Sequence, residues 1–208
     1  MMTVIIPTMW RTLELKKILD TLTPLPVIDR IHLINNDAFA FRLTGKFLIK
    51  TQNNPKLRVH TPPQNIYITE AWNHGALEAD TEFICLLNDD IVLESHAYEF
   101  VINNWPSDAG IIGLGYNSLH VLGGAYHLHA INQRPHGWGQ CMFIKRSAYQ
   151  PIPEDLKLWF NDDWLFKYTT GQHYQMVGPY TGQMSATTSD PAFNSIKDQD
   201  TINWKKYE

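Results

Sequence analysis

The sequence predicts an α/β protein with a mostly parallel central sheet flanked by helices. Apolar segments alternate with segments of helical periodicity through the first 90 residues. Prolines or polar clusters end several of the apolar segments. The most apolar of them, residues 82–87 (EFICLL), shows no polar alternation, as expected for a strand that is covered on both faces. This order of elements is typical of parallel sheets, because a helix has to carry the chain back between neighbouring strands.

In the first half of the chain, β-branched or apolar runs predict four strands, at residues 3–6, 29–35, 56–61 and 82–87. Helical spacing of apolar residues predicts two helices, at residues 11–22 and 69–79. Pro7 is expected to end the first strand, and Pro24 lies beyond the first helix as a stop. Thr69 is a suitable N-cap for the second helix.

In the second half, helices are predicted at residues 96–105 and 162–171, and strands at residues 109–116, 139–149 and 173–177. Residues 118–132 are predicted to form a hairpin that turns at Gly123–Gly124. The polar tail, residues 182–208, is expected to form loops or a loosely packed helix. Because no repeat, low-complexity segment or linker interrupts the chain, a single domain over residues 1–208 is predicted.

Composition excludes several classes of protein. The net charge of -4 and the pI of about 6.1 disfavour a broad nucleic-acid surface. No apolar run is long enough to span a membrane, and the N-terminus has no secretory signal. Cys85 and Cys141 lie in apolar runs, which favours two reduced thiols over a disulfide. A cytoplasmic protein is therefore expected.

Two adjacent carboxylates, Asp89 and Asp90, follow Asn88 where the strand 82–87 ends. Ligands of open α/β sheets bind outside the carboxyl ends of the strands. Two half-buried carboxylates repel each other, and a hard divalent cation such as Mg²⁺ or Mn²⁺ would compensate them together with phosphate oxygens. The alternative is a polar turn in which an aspartate caps the following helix.

Five short motifs occur in a characteristic order: TVIIPT (3–8), LINND (33–37), AWNHGALEA (71–79), CLLNDD (85–90) and WFNDDWLF (159–166). This series resembles that of the GT-A glycosyltransferases, in particular the large inverting family called family 2. The similarity covers about residues 3–178, and the order of the motifs is more specific than any one of them. The compact form is also similar to enzymes that large DNA viruses or phages encode, for which the host cytoplasm is the expected location.

The resemblance implies a role for each motif. The nucleotide-binding part is expected at about residues 1–115 and the acceptor-binding part at about residues 116–208. Asp90, assisted by Asp89, is expected to bind Mn²⁺ or Mg²⁺. Asp163 is expected to be the general base, with Asp162 as its orienting neighbour or an acceptor contact; alternatively, this pair caps a helix. The residues expected to bind the nucleotide sugar are Pro7, Thr8, Arg11, Asn35, Asn36, Asp37, Asn73, Asn88, Asp89 and Trp138.

This chain departs from the family pattern at two positions. Asn88 replaces the first acid of the family's Asp-x-Asp motif, and Asn35 replaces the aspartate of the second strand. Each replacement removes a charge. The late histidine that often completes the metal site has no counterpart in residues 178–190, so metal binding without nucleotide is expected to be weak.

Several candidates also have a structural explanation. Trp138 either stacks on a sugar or anchors the core beside a turn. Arg11 either contacts the nucleotide or is a solvated helix residue, and Asn73 either holds the ribose or fixes a loop. His127 and His129 alternate, with His120 and His136 nearby, but the spacing is not that of a zinc site. These histidines are expected to line an acceptor cleft or lie on the surface.

The predicted activity is the metal-dependent transfer of a sugar from a nucleotide-diphosphate sugar, preferably a UDP-sugar, to an acceptor hydroxyl with inversion. The expected acceptor is a glycan. Two alternatives remain open. A sugar nucleotidyltransferase is disfavoured because no glycine-rich loop follows the first strand. A non-catalytic nucleotide- or sugar-binding module is supported by Asn88 and Asn35.

Overall fold

The computed structural model describes residues 1–46, 48–49, 54–115, 124–182 and 190–208. Its helices are α1 (Glu14–Leu22), α2 (Ala38–Ala40, continued by a π-helical turn over Phe41–Gly45), α3 (Tyr67–Glu78), α4 (His96–Asn103), α5 (Asn161–Tyr168) and α6 (Asn194–Trp204). Its strands are β1 (Met2–Thr8), β2 (Ile28–Asn35), β3 (Leu57–His60), β4 (Phe83–Leu87), β5 (Ile91–Leu93), β6 (Ala109–Leu114), β7 (His127–Ile131), β8 (Cys141–Lys145), β9 (Gln172–Val177) and β10 (Tyr180–Gly182). No described helix is long and apolar enough to cross a bilayer.

Eight of these strands form one sheet in the order β3-β2-β1-β4-β8-β6-β9-β7. The strands β3, β2, β1 and β4 are parallel to one another, and β6 is parallel to β9. The other neighbours, β4 with β8, β6 with β8 and β7 with β9, are antiparallel. The predicted α/β class with a mostly parallel central sheet is confirmed.

Strand β4 shows why a continuous apolar run was the strongest signal in the sequence. Phe83, Cys85 and Leu87 belong to the hydrophobic core on one face of the sheet. Ile84 and Leu86 belong to the core on the other face. Because successive side chains of a strand point to opposite faces, a strand between two helical layers needs apolar residues at every position.

The structure differs from the prediction at the end of the first strand. β1 continues through Pro7 to Thr8, and Pro7 pairs with Ile34 of β2. Proline is tolerated there because β4 pairs with β1 only as far as Ile5, so the missing N–H of Pro7 faces no second strand. The strand therefore delivers Thr8, a polar residue, to the carboxyl edge of the sheet.

The apolar residues after Asp90 form the short strand β5, which pairs with β10 in a separate two-stranded sheet. Strand β7 pairs with β9, so residues 127–131 do form a strand. The first arm of the predicted hairpin, residues 118–123, lies outside the described residues. Tyr116, the predicted last residue of the strand 109–116, and Gly123, the first residue of the predicted turn, lie outside them as well.

The C-terminal tail is better anchored than predicted. Helix α6 is tied to residue 155 by the Asn203 amide, which donates to the Asp155 carbonyl (2.6 Å). Tyr207 donates its hydroxyl proton to the Asp155 carboxylate (2.7 Å). The ring of Trp204 stacks on Phe160 at 5.2 Å. The polar sequence of the tail did not predict this anchoring, because most of these contacts are hydrogen bonds and not the burial of apolar side chains.

Candidate active site

A cavity of about 440 Å³ lies at the carboxyl ends of the parallel strands. The last residues of β1 and the residues that follow β4 line it, and so do the first residues of α3 and α5. The residues that line the cavity are Pro7, Thr8, Met9, Asn36, Asn65, Tyr67, Ile68, Trp72, Asn88, Asp89, Asp90, Arg134, His136, Gly137, Gly139, Gln140, Leu158, Trp159, Phe160, Asn161, Asp162, Asp163 and Phe193.

The tripeptide Asn-Asp-Asp occurs twice on this wall, at residues 88–90 and again at residues 161–163. The first copy follows β4, and the second begins α5. More than seventy residues separate them along the chain, and the fold brings all six side chains to one cavity. The cavity therefore collects two separate carboxylate pairs, which is the most informative feature of the site.

Of the first pair, Asp90 is buried and Asp89 half-buried, and within the described residues no cationic side chain forms an ion pair with either. The hydroxyl of Thr8 donates to Asp89 Oδ2 (2.6 Å), and Asp90 is only 8% exposed. Burial raises the pKa of Asp89 to about 6. Burial, followed by the neighbouring charge of Asp89, raises the pKa of Asp90 to about 7. Two adjacent acids are thus held where ionising both is unfavourable without a cation.

These residues fit a hard divalent cation. Asp89 and Asp90 supply two carboxylates, and Mg²⁺ or Mn²⁺ commonly takes one or two carboxylates together with phosphate oxygens and water. Within the described ranges, no cluster of three or more His, Cys, Asp or Glu side chains is placed to hold a metal. A metal at this position would accordingly need ligands from the nucleotide and from water.

An arginine offsets part of the charge of the second pair. Arg134 Nε donates to Asp163 Oδ1 (2.6 Å), and its Nη1 donates to Asp162 Oδ2 (2.9 Å). One guanidinium therefore bridges both carboxylates and fixes their orientation. Burial raises the pKa of Asp162 above its ordinary value, although the Arg134 charge acts in the opposite direction. The side chains of all three residues remain about a quarter exposed.

Glycine at position 139 allows this pair to approach the loop after β7. A β-carbon at Gly139 would lie 2.5 Å from both Cβ and Oδ2 of Asp162. Any side chain there would displace Asp162 or the loop. Next to it, the Gln140 carbonyl accepts a hydrogen bond from the Asn88 N–H (3.0 Å). Residues 139–140 thus connect the two carboxylate pairs structurally.

Three buried polar atoms on the cavity wall have no hydrogen-bond partner among the described residues: Trp72 Nε1, Gln140 Oε1 and Asn161 Nδ2. Thr69 lies one turn before Trp72 on α3. Its Oγ1 lies 2.8 Å from Asn161 Oδ1, so the side chains of Trp72 and Asn161 are near each other. Unpaired buried polar groups are rare in folded proteins and call for a water or a polar ligand. These atoms are not exposed to the cavity, so they are polar groups packed behind its wall rather than ligand contacts.

Backbone strain also concentrates here. In the described chain, three non-glycine residues have positive φ: Trp10 (60°), Tyr67 (58°) and Phe160 (65°). Tyr67 and Phe160 line the cavity, and Trp10 follows Thr8 by two residues. Left-handed backbone at bulky residues is uncommon and clusters at functional sites.

A single carboxylate from the C-terminal helix shapes one wall. Asp200, which is 1% exposed, accepts hydrogen bonds from the backbone N–H groups of Lys157 (2.9 Å), Leu158 (2.7 Å) and Trp159 (2.8 Å). Leu158 and Trp159 are cavity residues. The polar tail therefore positions the segment that precedes the second carboxylate pair.

Replacing Asp200 with alanine is expected to lower the free energy of unfolding by about 3 kcal/mol, because three buried N–H donors lose a charged acceptor. Urea denaturation measures this change. Asp198→Ala, on an exposed position of the same helix, is the matched control and should stay within about 0.5 kcal/mol of the parent protein. Equal denaturation midpoints for the two variants would show that Asp200 does not hold the wall.

Eight of the residues predicted from the sequence line the cavity: Pro7, Thr8, Asn36, Asn88, Asp89, Asp90, Asp162 and Asp163. Asn36 is also engaged structurally, since its amide donates to the Tyr67 carbonyl (3.2 Å). Its side chain thereby holds the strained Tyr67 in place.

The other predicted residues lie outside the cavity wall. Asn35 is 1% exposed and accepts from Trp10 Nε1 (2.7 Å). Asp37 caps α2 by accepting from the N–H groups of Phe39 and Ala40. Arg11 forms an ion pair with Asp190 (2.7 Å).

Asn73 and Trp138 have structural roles in this fold. The Asn73 amide accepts from the Ile152 N–H (2.9 Å) and donates to the Ile152 carbonyl (2.8 Å), so it fixes a loop. Trp138 is fully buried, and its Nε1 donates to the Tyr174 carbonyl (3.1 Å). The structure therefore corrects the expectation that Trp138 stacks on a sugar: its ring is core material.

Sequence reasoning missed several residues of the wall, above all Arg134, Gln140, Trp72 and Trp159. Arg134 lies in a polar loop, 28 residues before Asp162, and no local pattern connects the two. Gln140 precedes an apolar strand and resembles an ordinary flanking residue. Trp159 had a usable signal, because it stands three residues before the second Asp-Asp pair.

No protein-family model and no curated protein matches the sequence. Solved structures do match the fold. One is the mannosyltransferase PcManGT from Pyrobaculum calidifontis in complex with GDP-Man and Mn²⁺ (TM-score 0.65, 11% identity, 97% of this chain and 61% of that chain). A second is S. aureus TarS residues 1–349 in complex with UDP-GlcNAc (TM-score 0.63, 14% identity, 97% and 65%). A third is GalNAc-T7 with UDP, GalNAc and Mn²⁺ (TM-score 0.63, 12% identity, 99% and 49%).

The similarity to these structures shows a shared GT-A fold. This chain aligns with 60% of the structure of TarS residues 1–349 and with 39% of the longer TarS structure. It therefore spans less than two thirds of the length of those proteins. The matching TarS crystals contain UDP-GlcNAc or UDP, the PcManGT crystal contains GDP-Man and Mn²⁺, and the GalNAc-T7 crystal contains UDP, GalNAc and Mn²⁺.

Proposed function

We propose that this protein is a metal-dependent glycosyltransferase that moves a sugar from a UDP-sugar to the hydroxyl group of a glycan acceptor, with inversion at the anomeric carbon. The observation that carries the proposal is the meeting of two carboxylate pairs in one cavity at the carboxyl edge of a GT-A sheet. The reaction needs two such groups, because the diphosphate leaves with extra negative charge while the attacking hydroxyl loses a proton.

The donor half of the site consists of the residues after β1 and β4. Pro7, Thr8 and Asn36 would border the nucleotide, and Asp89 and Asp90 would hold Mn²⁺ or Mg²⁺. Such a cation supplies Lewis-acid stabilisation of the charge that develops on the leaving diphosphate. Thr8 has a defined role in this scheme, since its hydroxyl fixes one oxygen of Asp89 at 2.6 Å and so orients the other.

The acceptor half is the start of α5. Asp163 would take the proton of the attacking hydroxyl, and Asp162 would orient the acceptor or its neighbour. Arg134 holds both carboxylates in one arrangement and offsets their mutual repulsion. Because Arg134 Nε is bonded to Oδ1 of Asp163, an arriving acceptor hydroxyl would donate to Oδ2.

The proposal is tested with a panel of nucleotide sugars based on UDP and GDP, assayed for nucleotide release with Mn²⁺ and with EDTA. Nucleotide release that requires the metal, faster with an acceptor sugar than without, is the expected result. Wild-type protein that binds UDP but releases none from any donor, with or without metal, would contradict the enzymatic assignment.

A non-catalytic nucleotide- or sugar-binding module is the second candidate. Asn88 favours it, because this position lacks the carboxylate that the first residue of the metal motif usually supplies. The ion pairs of Asp162 and Asp163 with Arg134 would then be structural. Binding of UDP-sugars without turnover in the same panel would select this function.

A further inference from the structure

One aromatic side chain of the cavity wall differs from the others in its exposure. Trp159 is 43% exposed, whereas Tyr67, Trp72, Phe160 and Phe193, the other large aromatic residues on the described wall, are buried or half-buried. A residue that both lines the cavity and remains this exposed lies where the cavity opens to solvent. A large apolar ring left in this position costs burial energy that an ordinary core tryptophan would recover.

Trp159 is exposed although the backbone of its segment is anchored by hydrogen bonds. The backbone N–H groups of Leu158 and Trp159 donate to Asp200. The Lys157 carbonyl accepts from the Ile68 N–H (3.1 Å), which ties the same segment to α3. Phe160, the next residue, is held in the left-handed region and stacks on Trp204. The fold thus anchors the backbone on both sides of an exposed indole.

Two contacts of the Trp159 ring within the described residues leave the residue 43% exposed. Lys197 Nζ lies over the ring, 5.7 Å from its centroid. Phe160 meets it edge-on at 6.1 Å. A lysine over the ring makes a cation–π contact with it but does not bury it. The geometry is that of a preformed aromatic surface.

We propose that Trp159 is the platform on which the acceptor stacks, and that the acceptor is accordingly a carbohydrate ring. This inference rests on the proposed glycosyltransferase function. A pyranose has an apolar face of C–H groups and a rim of hydroxyls, and the cavity offers an indole together with Asn65, His136 and Asp163. The stacked ring would present a hydroxyl to the carboxylate of Asp163.

Other acceptor classes fit this wall less well. A lipid chain would place methylene groups against the carboxylates of Asp162 and Asp163, which are about a quarter exposed. Removing water from these charged groups without giving them a hydrogen bond is unfavourable. A nucleic acid would meet two carboxylate pairs in a chain of net charge -4. A carbohydrate uses both the aromatic surface and the hydrogen-bonding groups.

The experiment compares Trp159→Ala and Trp159→Phe with the parent protein and with Phe39→Ala. Phe39 is a matched control, because it is a 65% exposed aromatic residue outside the cavity wall. Saturation-transfer NMR measures the binding of four methyl glycosides (glucoside, galactoside, mannoside and N-acetylglucosaminide) to the protein, both alone and with UDP and Mn²⁺ added. Calorimetry measures UDP binding separately, and the thermal midpoint shows that each variant is folded.

At least one glycoside is expected to bind the parent protein, with about tenfold weaker binding to Trp159→Ala, an intermediate loss in Trp159→Phe and no change in Phe39→Ala. UDP binding should stay within about twofold in all of them. Unchanged glycoside binding in the Trp159 variants, or no glycoside binding to the parent protein, overturns the inference. If the protein binds a glycoside through Trp159 but binds no nucleotide, the role of Trp159 stands and the proposed glycosyltransferase function is refuted.

Discussion

Asp163→Asn is expected to reduce sugar transfer by a factor of about 10²–10⁴, the contribution typical of a general base, while UDP binding in the presence of Mn²⁺ stays within about twofold. Asparagine has nearly the shape of aspartate, and it can still accept a hydrogen bond from Arg134, so the wall of the cavity should persist. It cannot take up the proton of the attacking hydroxyl. Steady-state transfer rates and calorimetric titration with UDP measure the two effects on the same preparation.

Asp155→Asn is a suitable control for this variant, because Asp155 accepts from Lys206 and Tyr207 away from the cavity. It should leave transfer unchanged. Equal losses of transfer and of UDP binding in Asp163→Asn would mean that the residue is structural. Transfer at the parent rate would remove Asp163 from the catalytic step altogether.

Asp90→Asn is expected to weaken Mn²⁺-dependent UDP binding at least about tenfold while making the metal-free protein more stable. Burial and the charge of Asp89 raise the pKa of Asp90 from 3.8 to about 7. A carboxyl with a raised pKa in the folded state favours the protonated form, so its penalty on stability grows as the pH rises from about 4 to about 7. Asparagine carries no charge and removes that penalty.

The stability gain should therefore be largest at pH 8, at about 1–3 kcal/mol, and should shrink as the pH is lowered toward 4. Chemical denaturation in EDTA at several pH values measures it. Asp80→Asn serves as the control, because the Asp80 carboxylate is 65% exposed and lies outside the cavity. Unchanged Mn²⁺-dependent UDP binding in Asp90→Asn would exclude Asp90 as a metal ligand.

The opposite effects expected for Asp90 have a simple origin. When both are ionised, two neighbouring acids at the end of β4 repel each other and lose hydration, so without a metal they destabilise the protein. Structural explanations of Asp89 and Asp90 as helix caps would predict the reverse, a loss of stability on substitution. Helix α4 begins at His96, several residues further on, so neither acid caps it.

Much of the fold was predictable from local patterns. The strands β2, β3, β4 and β9 and the helices α1, α3, α4 and α5 were predicted within about three residues at each end. Helix α2 was missed, because the segment after Asp37 has no clear apolar periodicity. Strand β1 was cut short at Pro7, since the rule against proline in strands applies to positions that must donate an N–H to a second neighbour.

The two Asn-Asp-Asp tripeptides mark the boundary between what sequence and structure each contribute. That the first copy ends a buried strand was predictable from residues 82–90, because an apolar run of only five residues between polar ones is short for a helix. That the second copy faces the same cavity depends on the packing of α5 against the loop at Gly139. Contacts of this kind join residues that are distant in the chain.

The amino-acid sequence by itself determined the α/β class, the carboxyl edge of the sheet as the place of the site, and the acids that would be found there. Only the tertiary structure decided that Arg134 bridges Asp162 and Asp163, and that Trp138 is buried while Trp159 is exposed. In the sequence Trp138 stands between two glycines and Trp159 between Leu158 and Phe160, so local pattern alone would have favoured the opposite assignment. Their environments differ because Trp138 packs against β9, whereas a carboxylate forty-one positions away, Asp200, holds the backbone of Trp159 at the cavity wall.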